Sequence, residues 1–146
     1  MSKLVSLIVA AASGVAMAVQ GTANSQLSQK TNLWEATFLV HFLGTIIVSV
    51  IMLFLGVGSF RFEKWLSVPW YLYIGAVLSV LIVYLVAMSI PKVGVCNATT
   101  AIIIGQVTAA VIIDQLGLFG AQKCAWSVSK FLGIALFAAG AKLLIR

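Results

Sequence analysis

Five apolar stretches, each about twenty residues long, dominate this chain and leave short polar connections between them. They read as roughly Leu4 to Gln20, Trp34 to Val57, Trp70 to Ile90, Val93 to Leu116 and Trp126 to Ile145. At about 1.5 Å of rise per residue each makes a helix of about 30 Å, which matches the hydrocarbon core of a bilayer. Hydrophobic residues make up 62% of the chain and charged residues 8%. That leaves too little polar surface for a soluble domain, whereas lipid is an acceptable solvent for it. The expectation is an all-α, polytopic integral membrane protein in which residues 1–146 form a single five-helix transmembrane domain.

The first stretch also has the form of a signal peptide, with Lys3, an apolar run and the small residues Ala16 and Ala18. Gln20, Gly21 and Asn24 continue the helical surface of Ser13 and Met17, so a retained helix is the stronger reading. The tryptophans support the span limits. Trp34, Trp65, Trp70 and Trp126 fall at or just outside a helix start, where an amphipathic ring sits among headgroups. Pro69 suits the first turn of the third helix and Pro91 is expected to end it. Asn32 followed by Glu35 fits a capping box at the head of the second helix, which favours a cap over a transport acid for Glu35.

The net charge of +6 does not point to nucleic acid, because the lysines and arginines are scattered among the loops. Five spans put Lys3, Arg61, Lys64 and Lys123 on one side and Lys30, Lys92, Lys142 and Arg146 on the other. Lys130 lies inside the fifth span, where it can snorkel toward the first side. A balance this even gives the insertion machinery little reason to prefer one orientation. Either another factor sets the topology, or both orientations insert and pair as an inverted dimer, which reproduces in two chains the inverted repeats of many transporters. Cys96 and Cys124 sit at opposite ends of the fourth span, too far apart for a disulfide.

Small residues supply the packing stripes that helices need in lipid. Ala10, Gly14 and Ala18 recur every four residues in the first span, and Asn97, Ala101, Gly105 and Ala109 do so in the fourth. Gly21, Gly44, Gly133 and Gly140 join Gly14 and Gly105 as expected packing positions. Beside the stripes run polar lines. Gln106 lies near the middle of the fourth span with Thr99 a heptad before it, and Ser13, Gln20 and Asn24 line one face of the first. An amide facing lipid is costly, so each must meet protein, water or a solute, and two polar lines suggest one shared cavity. His41, about two turns into the second span, either carries protons or stays neutral and donates to a backbone carbonyl. Asp114, near the end of the fourth span, calls for headgroups, water or a cationic partner such as Lys123, Lys130 or a residue of a second subunit. No paired carboxylates, activated nucleophile, metal-ligand spacing or phosphate-binding loop is present. Neither enzyme activity, cofactor nor metal is expected.

Residues from end to end resemble the YdcZ-like five-span family of the drug/metabolite transporter superfamily, classed as a domain of unknown function. They are Gln20, Gly21 and Asn24; Phe42 and Gly44; Pro69 and Trp70; Pro91 and Gly94; then Gly105, Gln106, Asp114, Gly117 and Gly120. The Gly-Gln pair followed by Asp and two glycines is the most specific of these. The resemblance implies a half unit that completes a ten-helix fold as an inverted, antiparallel homodimer. The related small multidrug resistance exporters use a carboxylate in the middle of the first helix, which this chain lacks. His41 stands where a small polar residue is expected, so no family role carries over to it.

The reading is a secondary active transporter of small polar metabolites in a bacterial inner membrane, working by alternating access. Gln20, Asn24 and Gln106, with Ser13 and Thr99, are the candidate solute contacts; His41, Asp114 and Glu35 are the candidate proton or ion couplers. Two alternatives stand beside it: proton-coupled export of cationic compounds, and a non-transporting scaffold or regulatory subunit. The partners expected are a small-molecule solute, the bilayer and a second, inverted copy, with no nucleic acid.

Overall fold

A computed structural model describes residues 2–58, 61–121, 123 and 127–145, with the side chains of Phe62 and Lys130 set aside. The described secondary structure is helical throughout. In chain order the long helices are α1 (Lys3–Lys30), α2 (Leu33–Leu55), α3 (Ile74–Val93), α4 (Val95–Leu116) and α5 (Val128–Leu144). A short helix, Phe62–Leu66, and a 3₁₀ turn, Trp70–Tyr73, lie between α2 and α3.

Four helical segments are long and apolar enough to cross a membrane: Lys3–Lys30, Leu33–Leu55, Trp70–Val93 and Val95–Leu116. The fifth expected span is the 17-residue α5, about 25 Å long, whose apolar stretch runs from Phe131 to Leu144. Its expected beginning at Trp126 lies outside the described residues, as do Cys124 and Arg146.

The helical surface expected to continue past the first apolar stretch through Asn24 runs on to Lys30, because falling hydropathy does not break a backbone ladder and this stretch contains no proline. One boundary differs from expectation: Pro91 does not end the third span. It lies inside α3, which runs on to Val93 and stops at Gly94, where φ is +83°. A proline this close to a helix end removes one hydrogen bond, whereas a left-handed residue redirects the chain. Other ends follow the sequence closely. Asn32 Oδ1 accepts from the Glu35 N–H at 2.9 Å, the first half of a capping box, and α4 ends at Leu116 with Gly117 in the left-handed region.

The chain forms two compact units, Met1–Pro91 and Lys92–Arg146. In the first, α1 packs on α2 across a tight turn at Thr31 and Asn32. Trp34 of α2 meets Tyr84 of α3 with ring centroids 4.7 Å apart. α3 comes close to α1 at Gly21: a Cβ there would lie 2.9 Å from Val86 Cγ1 and 3.3 Å from Ile90 Cδ1. The buried residues of this unit are small or polar apart from Ile90: Gly21, Asn24, Ser25, Ala36, Thr37 and Ala87. In the second unit α4 packs on α5, and the buried residues are Ala98, Thr100 and Ala141. Long apolar side chains remain on the outside of both units, the inverse of a soluble core and the arrangement lipid requires.

Candidate functional site

The polar line of α1 divides on folding. Asn24 is buried at 7% exposure and the neighbouring Ser25 at 0%, while Ser13 and Gln20 are exposed. Ser13 donates its hydroxyl hydrogen to the Ala10 carbonyl at 2.7 Å, which leaves its oxygen only as an acceptor. Ser25 was not singled out by the sequence pattern, since it lies one position off the Gln20–Asn24 line. Its Oγ is buried and has no hydrogen-bond partner. A buried hydroxyl without a partner costs about 1–3 kcal/mol.

A second polar stripe lies on α2. Thr37, His41 and Thr45 recur every four residues, and each bonds the carbonyl one turn earlier: Thr37 Oγ1 to Leu33 at 2.7 Å, His41 Nδ1 to Thr37 at 2.8 Å and Thr45 Oγ1 to His41 at 2.8 Å. His41 Nε2 then reaches Ser79 Oγ of α3 at 3.1 Å. Ser79 escaped the sequence reading, although a lone hydroxyl in the apolar run from Ile74 to Tyr84 is a usable signal. Glu35 is exposed in the first turn of α2, at the cap and away from these groups.

The second unit carries the other line. Thr99 is half-buried, but Gln106 is exposed near the middle of α4, beside Gly105, around whose Cβ position there is open space. Thr108 is satisfied locally by the Ile104 carbonyl at 2.8 Å. Asp114 is exposed toward the end of α4; of its expected partners, the Lys130 side chain lies outside the described residues. An open cleft of about 400 Å³ is lined by Lys92, Val93, Asn97, Ala101 and Ile145. Among the described residues no group of three or more His, Cys, Asp or Glu gathers as a metal site would require.

Of the glycines expected at packing seams, Gly21 is enclosed, whereas Gly14, Gly44, Gly105, Gly133 and Gly140 have nothing within 4 Å of a Cβ position. Among the described residues, the stripes that contain Gly14 and Gly105 are each left open within their own unit.

A family model described as "Putative inner membrane exporter, YdcZ" matches residues 5–143. The chain belongs to the YdcZ family. No curated protein matches the chain, and no solved structure does. Membership makes this YdcZ-family chain an integral protein of the inner membrane in a class of membrane exporters, which is not a class of enzymes. The match takes in both polar lines, the α2 stripe and the open glycines.

Proposed function

We propose that this protein is a secondary active exporter of small polar metabolites, with no enzymatic activity, that works by alternating access as an antiparallel homodimer. The observation that carries the reading is Gln106, an exposed amide beside the open Gly105 in the middle of a membrane-spanning helix. Burying such a group without a hydrogen bond costs about 1–3 kcal/mol by mutational measure, and lipid offers no partner. A second copy laid against α4 covers the small-residue stripe and leaves the amide facing a solute path. The even division of loop charge supports opposite orientations for the two copies. The lack of a carboxylate in the middle of α1 favours neutral or anionic solutes over cations.

The test is solute-induced thermal stabilisation of the purified protein across a metabolite panel, paired with reporters fused to the C-terminus. A ligand that binds the folded state raises the unfolding temperature by mass action, and dual topology gives active reporters on both sides of the membrane. Adding two or three lysines to one loop side is expected to bias the population. Strictly one-sided reporters, in the absence of a sister chain of opposite orientation, defeat the antiparallel dimer. A panel without any stabilising solute counts against the transport reading.

A further inference from the structure

His41 is the single histidine of the chain, and its imidazole ties α2 to α3 inside the span. Nδ1 lies 2.8 Å from the Thr37 carbonyl oxygen. A carbonyl only accepts, so Nδ1 bears a hydrogen. Nε2 lies 3.1 Å from Ser79 Oγ, and that hydroxyl lies 3.0 Å from the Ala76 carbonyl oxygen. The Ser79 hydroxyl has one hydrogen for two neighbours. When the imidazole is neutral, Nε2 is an acceptor, and Ser79 donates either to it or to Ala76, leaving the other contact without a hydrogen. When the imidazole is protonated, Nε2–H donates to Ser79 Oγ, Ser79 donates to Ala76, and all three contacts are hydrogen bonds. This geometry is complete for the imidazolium and one hydrogen short for the neutral ring.

Among the described residues of the Met1–Pro91 unit, the elements packed on α2 supply no counter-ion beside His41. The elements packed on α2 within its unit are α1 and α3. From Ile74 to Pro91, α3 carries no Asp, Glu, Lys or Arg, and its one titratable group there, Tyr84, lies against Trp34. The charged residues of α1 are Lys3 and Lys30 at its two ends, and the acid of α2 is Glu35 in its first turn. Within this unit the contacts of the His41 ring are therefore with hydrogen-bonding groups and not with a carboxylate.

We propose that His41 is a proton-binding site and that Ser79 turns proton binding into a clasp between α2 and α3. A proton from water adds to the Nε2 lone pair, and the Ser79 hydroxyl turns its hydrogen from Nε2 to the Ala76 carbonyl. Release reverses both movements, and no other bond is made or broken. The coupling of this cycle to solute movement rests on the transporter reading; proton binding and the clasp do not.

A single histidine makes the test direct. Full-length protein with ring-labelled histidine, in lipid nanodiscs, is titrated by NMR from about pH 5 to about pH 9, the range in which an imidazole changes charge. As the pH rises, the resonances are expected to pass from the imidazolium to the neutral form with Nδ1–H. Ser79→Ala is expected to weaken proton binding about tenfold by removing the Nε2–H acceptor, and Ser79→Thr to restore it. If the alanine variant does not accumulate, Ser79→Cys, a weaker acceptor of similar size, is expected to shift the titration the same way. A histidine that keeps one protonation state throughout overturns the proton site, and a titration that neither variant moves overturns the clasp. Neither measurement needs a solute, so failure here is separate from failure of the metabolite panel.

Discussion

In the Met1–Pro91 unit the contacts between helices are made within the chain, whereas in the Lys92–Arg146 unit the most polar mid-helix group has no such company. Gly21 receives Val86 and Ile90, Trp34 meets Tyr84, and His41 reaches Ser79. Gln106 and Gly105 of α4, and Gly133 and Gly140 of α5, stand open. Both units face the same solvent, so lipid alone does not account for the difference. Helices in hydrocarbon associate through close packing and polar contacts, not through a hydrophobic drive. A small or polar position left open within one unit is therefore a position available to something outside that unit. The first unit has its own exceptions: Gly14 and Gly44 are open there, and Ser25 is buried without a hydrogen-bond partner among the described residues.

Substitutions at matched positions break or sharpen this contrast. The largest effect is expected at Gly21. Gly21→Val pushes a branched side chain into Val86 and Ile90 and should cost about 1–3 kcal/mol by overpacking, read as a fall in unfolding temperature in detergent. Gly105→Val, the paired control, meets open space and should leave protomer stability unchanged while abolishing cross-linking of a dimer. Equal losses from the two variants would erase the distinction between the units.

Gln106→Leu keeps the side-chain volume and removes the amide. On matched amounts of folded protein, export of whichever solute stabilises it should fall by about tenfold or more, equivalent to at least about 1.4 kcal/mol. Stability should change by no more than the roughly 0.6 kcal/mol of an average membrane hydrogen bond. Normal export by this variant would remove Gln106 from the solute path.

Asn32→Ala deletes the cap that closes the α1–α2 turn and should cost about 1 kcal/mol, again by thermal unfolding. The smallest effect is expected at Ser25. Because its hydroxyl is already unpaired, Ser25→Ala should be neutral or stabilising by up to about 1 kcal/mol. A clear destabilisation there would mean that the hydroxyl finds a partner in the assembled protein, which would place Ser25 among the positions available to something outside its unit.

The elements were legible in the sequence to different depths. The cap at Asn32 was read correctly because it is local chemistry, a side-chain acceptor for an orphan N–H; the fourth span's end at Leu116 coincides with the helix end, where Gly117 takes positive φ. Hydropathy marked the apolar span of α1 to Gln20 but not its helix end at Lys30, because it reports the solvent that a helix prefers and not where its hydrogen bonds stop. Pro91 was overweighted, since its cost depends on how much helix remains beyond it. Among the candidate site residues, period-four spacing grouped Gln20 with Asn24, yet one is exposed and the other buried. Spacing assigns a face but does not say how far a neighbouring helix extends over it.

By itself the sequence determined the solvent, the helical class and most helix ends, because these follow from hydropathy, capping chemistry and backbone freedom, each a property of residues within one or two turns. His41 was legible as an ionisable group in a span. That its Nε2 meets Ser79, that Ser25 is enclosed without a partner and that Gly21 is filled while Gly105 is open were decided by tertiary structure. Those facts depend on which helix faces lie together across separations of tens of residues, and a small-residue stripe looks the same in the sequence whether its partner lies in the same chain or in another.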